Sequence, residues 1–302
     1  MGNRMLLSDF IKNENVKLFK DGNFDCLGLA TENFLGKKIL SFCASEKYLS
    51  NVLSNDAVVC LALTEELYKN SELPKNWGIV LCDNPKAFYF RTHNLIAEKI
   101  RAERSKPSVI DKTAVIHKSV VIPKNNVTIG KNVVIEPNTV INEFVTINDD
   151  VKIGPNNVLG GPAFQFFRDG YDVIHVESMG ELIIEKKVET QSSCSIDNGI
   201  FKTARIGENT KIDSYAQIAH DFICGKRGLI MAHAVISGRV TMGDDVYIGP
   251  SATVVNGLNI GDRAKASIGA VVTKNIEKGQ QVSGNFAIPH KKFIDLIKSL
   301  VK

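Results

Sequence analysis

The amino-acid sequence predicts a mainly β protein: a left-handed parallel β-helix of hexapeptide repeats, with a small N-terminal α/β domain and a short C-terminal helix. Three observations predict it. An apolar residue recurs at every sixth position through most of residues 107–280. The period is broken by a long aromatic-rich insertion at residues 160–183, stretched again between Ile196 and Ile206, and lengthened by one residue between Ile122 and Ile129. Residues 1–106 lack the period and read as alternating strand and helix signals.

The repeat comes first, because a missed repeat misassigns the whole fold. The series Ile206, Ile212, Ile218, Cys224, Ile230, Ile236, Met242, Ile248, Val254, Ile260, Ala266 and Val272 runs without a slip. The next residue is often Gly, as at Gly207, Gly225, Gly243, Gly249 and Gly261. The fourth residue onward is small or apolar, as at Ala216, Ala234, Val240 and Ala270. An upstream run comprises Ile110, Ile116 and Ile122, then Ile129, Ile135, Ile141, Ile147 and Ile153. A period of six is neither the 3.6 of a helix nor the alternation of a strand. It describes short strands joined by tight turns, three per coil, each turning one side chain into a triangular prism. Such coils bury their faces only against neighbouring coils.

The insertion 160–183 carries Phe164, Phe166, Phe167 and Tyr171 and is expected as a loop thrown out from one prism corner. In residues 1–106, β-like runs fall around Lys38–Phe42, Ala57–Leu63 and Gly78–Cys82. Asn84-Pro85 reads as a helix start, with Asn as cap and Pro in the first turn. The helix is predicted to reach about residue 100, burying Phe88, Leu95 and Ile96. At the far end, Pro289 opens an amphipathic helix within a tail of residues 281–302, with Phe293, Ile297 and Leu300 on one side.

With 44% apolar and 23% charged residues, the composition is that of an ordinary globular chain. The net charge of +4 suits a small anionic substrate, and there is no basic run interleaved with aromatics that would speak for nucleic acid. Six scattered cysteines without a C-x-x-C pair read as reduced thiols. The N-terminus lacks a signal-peptide core and no apolar run has membrane-spanning length, so a cytoplasmic protein is expected.

Chemistry concentrates in Ile212-Asp213-Ser214-Tyr215-Ala216-Gln217-Ile218-Ala219-His220-Asp221. His220 follows the inward Ile218 by two residues, at a coil edge, and histidine is the natural general base near neutral pH. Asp213 is a candidate to orient it. Three hexads make a coil of eighteen residues, so Gly238 stacks on His220 and its N–H becomes a candidate oxyanion donor. The competing reading makes His220 a solvated turn residue and Gly238 a turn glycine. His233, stacked on Ser251, is the second candidate base. His93, His117, His175 and His290 read as surface or loop residues. No spacing suits a metal site.

On these residues the chain resembles the UDP-3-O-(3-hydroxyacyl)glucosamine N-acyltransferases of lipid A biosynthesis. The stretch Asp213 to His220 is similar to that family's most specific motif, and Ile196-Asp197-Asn198-Gly199 to its I-D-x-G. Phe42-Cys43-Ala44-Ser45-Glu46-Lys47-Tyr48 resembles its uracil-binding segment, and Asn84-Pro85 its N-P helix start. The resemblance implies attack by the amine of a UDP-linked amino sugar on an acyl thioester. His220 would be the base, Asp213 its orienting group and the Gly238 amide the oxyanion donor. Phe42 and Tyr48 would sandwich the uracil, and Gln217 would contact substrate or donor. It further implies a homotrimer with sites between prisms, no metal and no permanently bound cofactor.

The sequence departs from the family at several points. The family's N-G-H histidine is absent from Val255-Asn256-Gly257-Leu258. Ser45 and Ser214 replace asparagines. The stretch Ser267 to Thr273, with Ala270 and Val271 as donor-binding candidates, instead resembles CoA-dependent sugar acetyltransferases, as does Val282-Ser283-Gly284-Asn285. The donor therefore stays open between acyl carrier protein and coenzyme A, and the pathway between lipid A and another surface glycan. Outside this class stand a non-catalytic hexapeptide scaffold and a zinc carbonic anhydrase. The Asp213–His220 pair argues against the first, and the spacing of His220 and His233 against the second.

Overall fold

The computed structural model describes residues 4–11, 16–30, 36–284 and 287–300. The chain separates into two compact units, Met1–Arg104 with Phe164–Met179, and Ser105–Ala163 with Gly180–Lys302.

The first unit is built on a five-stranded sheet. In spatial order its strands are Val16–Lys20, Gly78–Cys82, Val58–Leu63, Ile39–Cys43 and Cys26–Leu27. Only the first pairs antiparallel. Its central strands are continuous apolar runs, as parallel strands covered on both faces require, and Ile39, Leu61, Leu63, Ile79 and Leu81 form a core with Trp77. The helix Pro85–Glu103 starts as its sequence specifies: Asn84 Oδ1 accepts from the Ala87 amide at 3.1 Å, and Pro85 fills the first turn. Phe88 and Ile96 are buried as expected, but Leu95 faces outward, and Tyr89, Phe90 and Ala97 take the interior positions. His93, expected at the surface, is fully buried on this helix, with Nε2 at 2.7 Å from the Glu177 carbonyl.

The insertion 160–183 is not a prism loop. Phe166–Asp169 and Asp172–His175 pair as an antiparallel hairpin, turned by Gly170. Residues 164–179 belong to the first unit, because their polar and aromatic groups are satisfied by the long helix. Phe167 is buried and stacks on Phe90 at 5.3 Å, Asp169 pairs with Arg91, and Asn94 exchanges hydrogen bonds with His175 and Glu177. Phe164 and Tyr171 stay exposed.

The second unit is a parallel β-helix with three faces of eight, nine and seven strands. The first runs from Val109–Ile110 to Asn259–Ile260, the second from Val115–Ile116 to Gln281–Val282, and the third from Val140–Ile141 to Val271–Val272. Pairing keeps an eighteen-residue register, as in Ile212↔Ile230 and Ile230↔Ile248. All twelve apolar residues from Ile206 to Val272 point inward and are buried, whereas Ile110, in the first coil, is exposed. Regular corners turn through one left-handed residue three places after the inward one, with φ of 60° at Asn209, 61° at Tyr215, 55° at Asp221 and 58° at His233. Gln281–Val282 pairs with Lys265–Ala266, so the prism continues into the expected tail. Helix His290–Leu300 follows, with Phe293, Ile297 and Leu300 all exposed. Asn285 lies outside the described residues.

Because each coil is held only by its neighbours, Ile230→Ala should lower unfolding free energy by about 2–5 kcal/mol. Urea denaturation checks this.

Candidate active site

His220 sits at the corner that follows the third-face strand Gln217–Ile218. The equivalent turn positions Glu208, Lys226 and Asp244 are half-buried or exposed, but the His220 side chain is only 10% exposed. Two features bury it. Below, the ring lies against the bare Gly238 backbone, where an added Cβ would come within 2.4 Å of Nε2. Above, the corner at residues 197–203 is enlarged, so Thr190 pairs with Ile212 instead of a residue eighteen onward.

The enlarged corner also fixes the carboxylate that meets the ring. His220 Nδ1 meets Asp221 Oδ2 at 2.9 Å, and the Asp221 side chain is 2% exposed. Asp221 Oδ1 accepts from the amides of Phe201 and Lys202 at 3.1 and 3.0 Å. Gly199 makes room for this loop, since a Cβ there would lie 1.6 Å from the Lys202 carbonyl oxygen. A carboxylate fixed by two amides on one oxygen and an imidazole on the other holds the ring with Nε2 directed away from Asp221, over Gly238. The Gly238 amide has no acceptor among the described residues.

Asp213, the expected orienting group, is not brought to His220. It lies at the opposite end of the same prism side, before Gln217–Ile218, and its Oδ1 accepts from the Ser214 amide at 2.7 Å. Two candidates separated by one strand occupy two different corners, and the carboxylate in contact is the adjacent Asp221. Sequence reasoning passed over Asp221; the signal was its left-handed position immediately after His220.

Asp197 was also missed as a site residue. It is buried at the end of Ser195–Asp197, in a strand that pairs with Gln217–Ile218. Burial pushes its carboxyl up to about 6, and the nearby His220 pulls the other way. His233 is exposed and stacks on Tyr215 at 4.9 Å, at the corner opposite His220 along the third face. Gln217 points outward from that face. Val271 is exposed on it, but Ala270 is buried, because its place in the repeat turns it into the prism. His117 is exposed and bonded to Ser119, and His290 is exposed on the last helix. Among the described residues no group of three His, Cys, Asp or Glu is placed to hold a metal ion.

In the first unit, Phe42 is half-buried and leans on Tyr89 at 5.0 Å, whereas Tyr48 is half-exposed with the Lys47 ammonium over its ring. A cavity of about 480 Å³ adjoins the same segment, lined by Ala44, Ser45, Glu46, Thr64, Glu66 and Leu67. A larger one of about 690 Å³ is lined by Asn84, Phe88, Arg91 and Asp169 among others, and by neither Phe42 nor Tyr48.

The hexapeptide prism thus holds a buried imidazole–carboxylate pair over a backbone amide that has no acceptor among the described residues. Residues 126–161 match the bacterial transferase hexapeptide family, six repeats, in keeping with a left-handed parallel β-helix. The UDP-3-O-acylglucosamine N-acyltransferase of Methylobacterium nodulans is 34% identical over 131 residues, 43% of this chain and 37% of the relative. That of Wolinella succinogenes is 30% identical over 140 residues, 44% of each. The chain thus spans about two fifths of the length of these curated relatives. A solved UDP-N-acetylglucosamine acyltransferase from Campylobacter jejuni aligns with a TM-score of 0.48 at 20% identity, covering 63% of this chain and 82% of that one.

The raised Asp197 carboxyl has a consequence for stability. The fold favours its protonated form, so its contribution is present below the ordinary carboxylate range and lost as pH rises through about 6. Asp197→Asn should therefore raise Tm near about pH 7.5 and leave it almost unchanged near about pH 4. Thermal melts at the two pH values check this.

Proposed function

We propose that the chain is an N-acyltransferase that moves an acyl group from a thioester to the amine of a UDP-linked amino sugar, in a lipid A-like reaction. The observation that carries this reading is His220, buried against Asp221 and lying over the Gly238 backbone. The amine attacks the thioester carbonyl carbon. His220 Nε2 takes the proton released as the C–N bond forms and delivers it to the departing thiolate as the C–S bond breaks. Asp221 orients the ring and stabilises its cationic form. The Gly238 N–H faces the oxyanion. Asp213 is given no part in orienting His220.

The names of the curated relatives support the acceptor class, and the Phe42–Tyr48 segment supports uridine binding by the first unit. Gln217 and Val271, both outward on the third face, are proposed to meet the substrate and the donor. The donor is acyl carrier protein or coenzyme A thioester. No cofactor is held between turnovers. The outward residues of the third face, among them Val158, Gln217, Val235, Thr253 and Val271, carry no charge. This supports packing of that face against another copy in a homotrimer, with His220 at its margin. Six unpaired cysteines support a reducing, cytoplasmic location. No helix among the described residues is long and apolar enough to cross a membrane.

Replacement of His220 by Ala should cut turnover about 100-fold or more. Gly238→Ala should do comparable damage, because the new methyl occupies the ring's position. Purified variants assayed with a panel of acyl-CoA and acyl-carrier-protein donors and UDP-amino sugars test both. A near-normal rate for His220→Ala refutes the reading. Tyr48→Ala should weaken UDP binding about three- to tenfold; unchanged calorimetric affinity removes Tyr48 from the nucleotide site.

A further inference from the structure

Beside the His220–Asp221 pair lies a second set of buried polar atoms with no work in the chemistry so far. The Asp197 carboxyl is 7% exposed and accepts no hydrogen bond from the described residues. Asn198 is 4% exposed; its Nδ2 donates to the Glu143 carbonyl at 2.9 Å, but its Oδ1 is buried and unpartnered. Both oxygens lie along the bare backbone of Gly160-Gly161. A Cβ on Gly161 would sit 3.3 Å from Asp197 Oδ1, and one on Gly160 would sit 3.1 Å from Asn198 Oδ1. The titratable group that acts on Asp197 is His220 on the next coil, which is paired with Asp221, while Lys202 and Glu143 bring backbone groups, the Lys202 amide to Asp221 and the Glu143 carbonyl to Asn198. Leaving a carboxylate buried without a donor costs free energy unless something else supplies the donor. Two orphan acceptors side by side ask for a ligand that carries several N–H groups.

We propose that Asp197 and Asn198 form the subsite for the acceptor's amine, binding it as an ammonium and taking its first proton. This deepens the acyl-transfer reading and rests on it. A primary amine next to a sugar ring's oxygens titrates around 8, like an α-amino group, and so arrives largely protonated at neutral pH. An ammonium has no lone pair and cannot attack. Asp197 first accepts one proton, converting R–NH₃⁺ and carboxylate to R–NH₂ and carboxylic acid. The neutral amine then attacks the thioester. His220 takes the second proton as the amide forms and passes it to the thiolate, and Asp197 returns its own proton to water after product leaves. One base alone would have to remove two protons in a single passage. The strand register that sets Asp197 one coil from His220 supplies a base for each.

The test compares wild type, Asp197→Asn, Asp197→Ser and His220→Ala, each first shown by thermal melting to be folded. Thiol release from acyl-CoA and acyl-carrier-protein donors is followed with UDP-glucosamine and other UDP-amino sugars near about pH 6.5 and about pH 9. Loss of Asp197 should lower kcat/KM by about 30-fold or more at the lower pH. The deficit should shrink to within about threefold at the higher pH, where the amine is already neutral in solution. His220→Ala should stay impaired at both. An Asp197→Asn deficit equal at the two pH values, or no deficit at the lower one, overturns the amine subsite and leaves the acyl-transfer reading standing. A wild type that acylates none of the UDP-amino sugars overturns that reading, and the subsite with it.

Discussion

The contact between successive coils is the constraint on which the second unit depends. No coil has a core of its own. Each inward residue, such as Ile212, Ile230 or Ile248, is buried by its counterparts eighteen residues away, and the same register aligns the backbone ladder. Everything placed on the prism inherits that spacing. The ion pair of Arg227 with Asp245, at 2.6 and 2.8 Å, is one product of it; being exposed, it contributes little to stability. The stacking of His220 over Gly238 is another, and there the spacing creates chemistry.

A perfectly regular prism would nevertheless have made a poor site. At regular corners the residue two places after the inward one projects toward water, as Lys226 does. His220 is buried because the corner above it is enlarged and closes over it. The same enlargement aims the Phe201 and Lys202 amides at Asp221, and its strand carries Asp197. The irregularity is tolerated because repeat stability is local. One enlarged corner costs the two coils it touches and leaves the ladder beyond it in register, as Ile212↔Ile230 shows directly below.

Much of this was legible in the sequence. A six-residue period has one geometric meaning, so the inward residues from Ile206 to Val272 could be assigned individually. The cap at Asn84 was equally local, since it joins two residues three apart in the chain. What failed had separate causes. Helical pattern puts Leu95 inside and the sequence reads His93 as a surface or loop residue, but which face of a helix is buried depends on what packs there, here partly the segment of residues 164–179. Asp213 was paired with His220 by sequence distance, which counts strands but does not say that a strand separates two corners. Ala270 was offered to a donor although its repeat position turns it inward.

By itself the sequence determined the coil, the register and the neighbour of His220 across coils, because in a repeat each of these is a matter of counting. The tertiary structure decided which carboxylate serves the imidazole and that Asp197 is left without a partner. It also decided that the aromatic insertion belongs with the first unit. Those outcomes arise where the period is interrupted. There, spacing along the chain no longer measures distance in space, and only the packing of the enlarged corner fixes which groups meet.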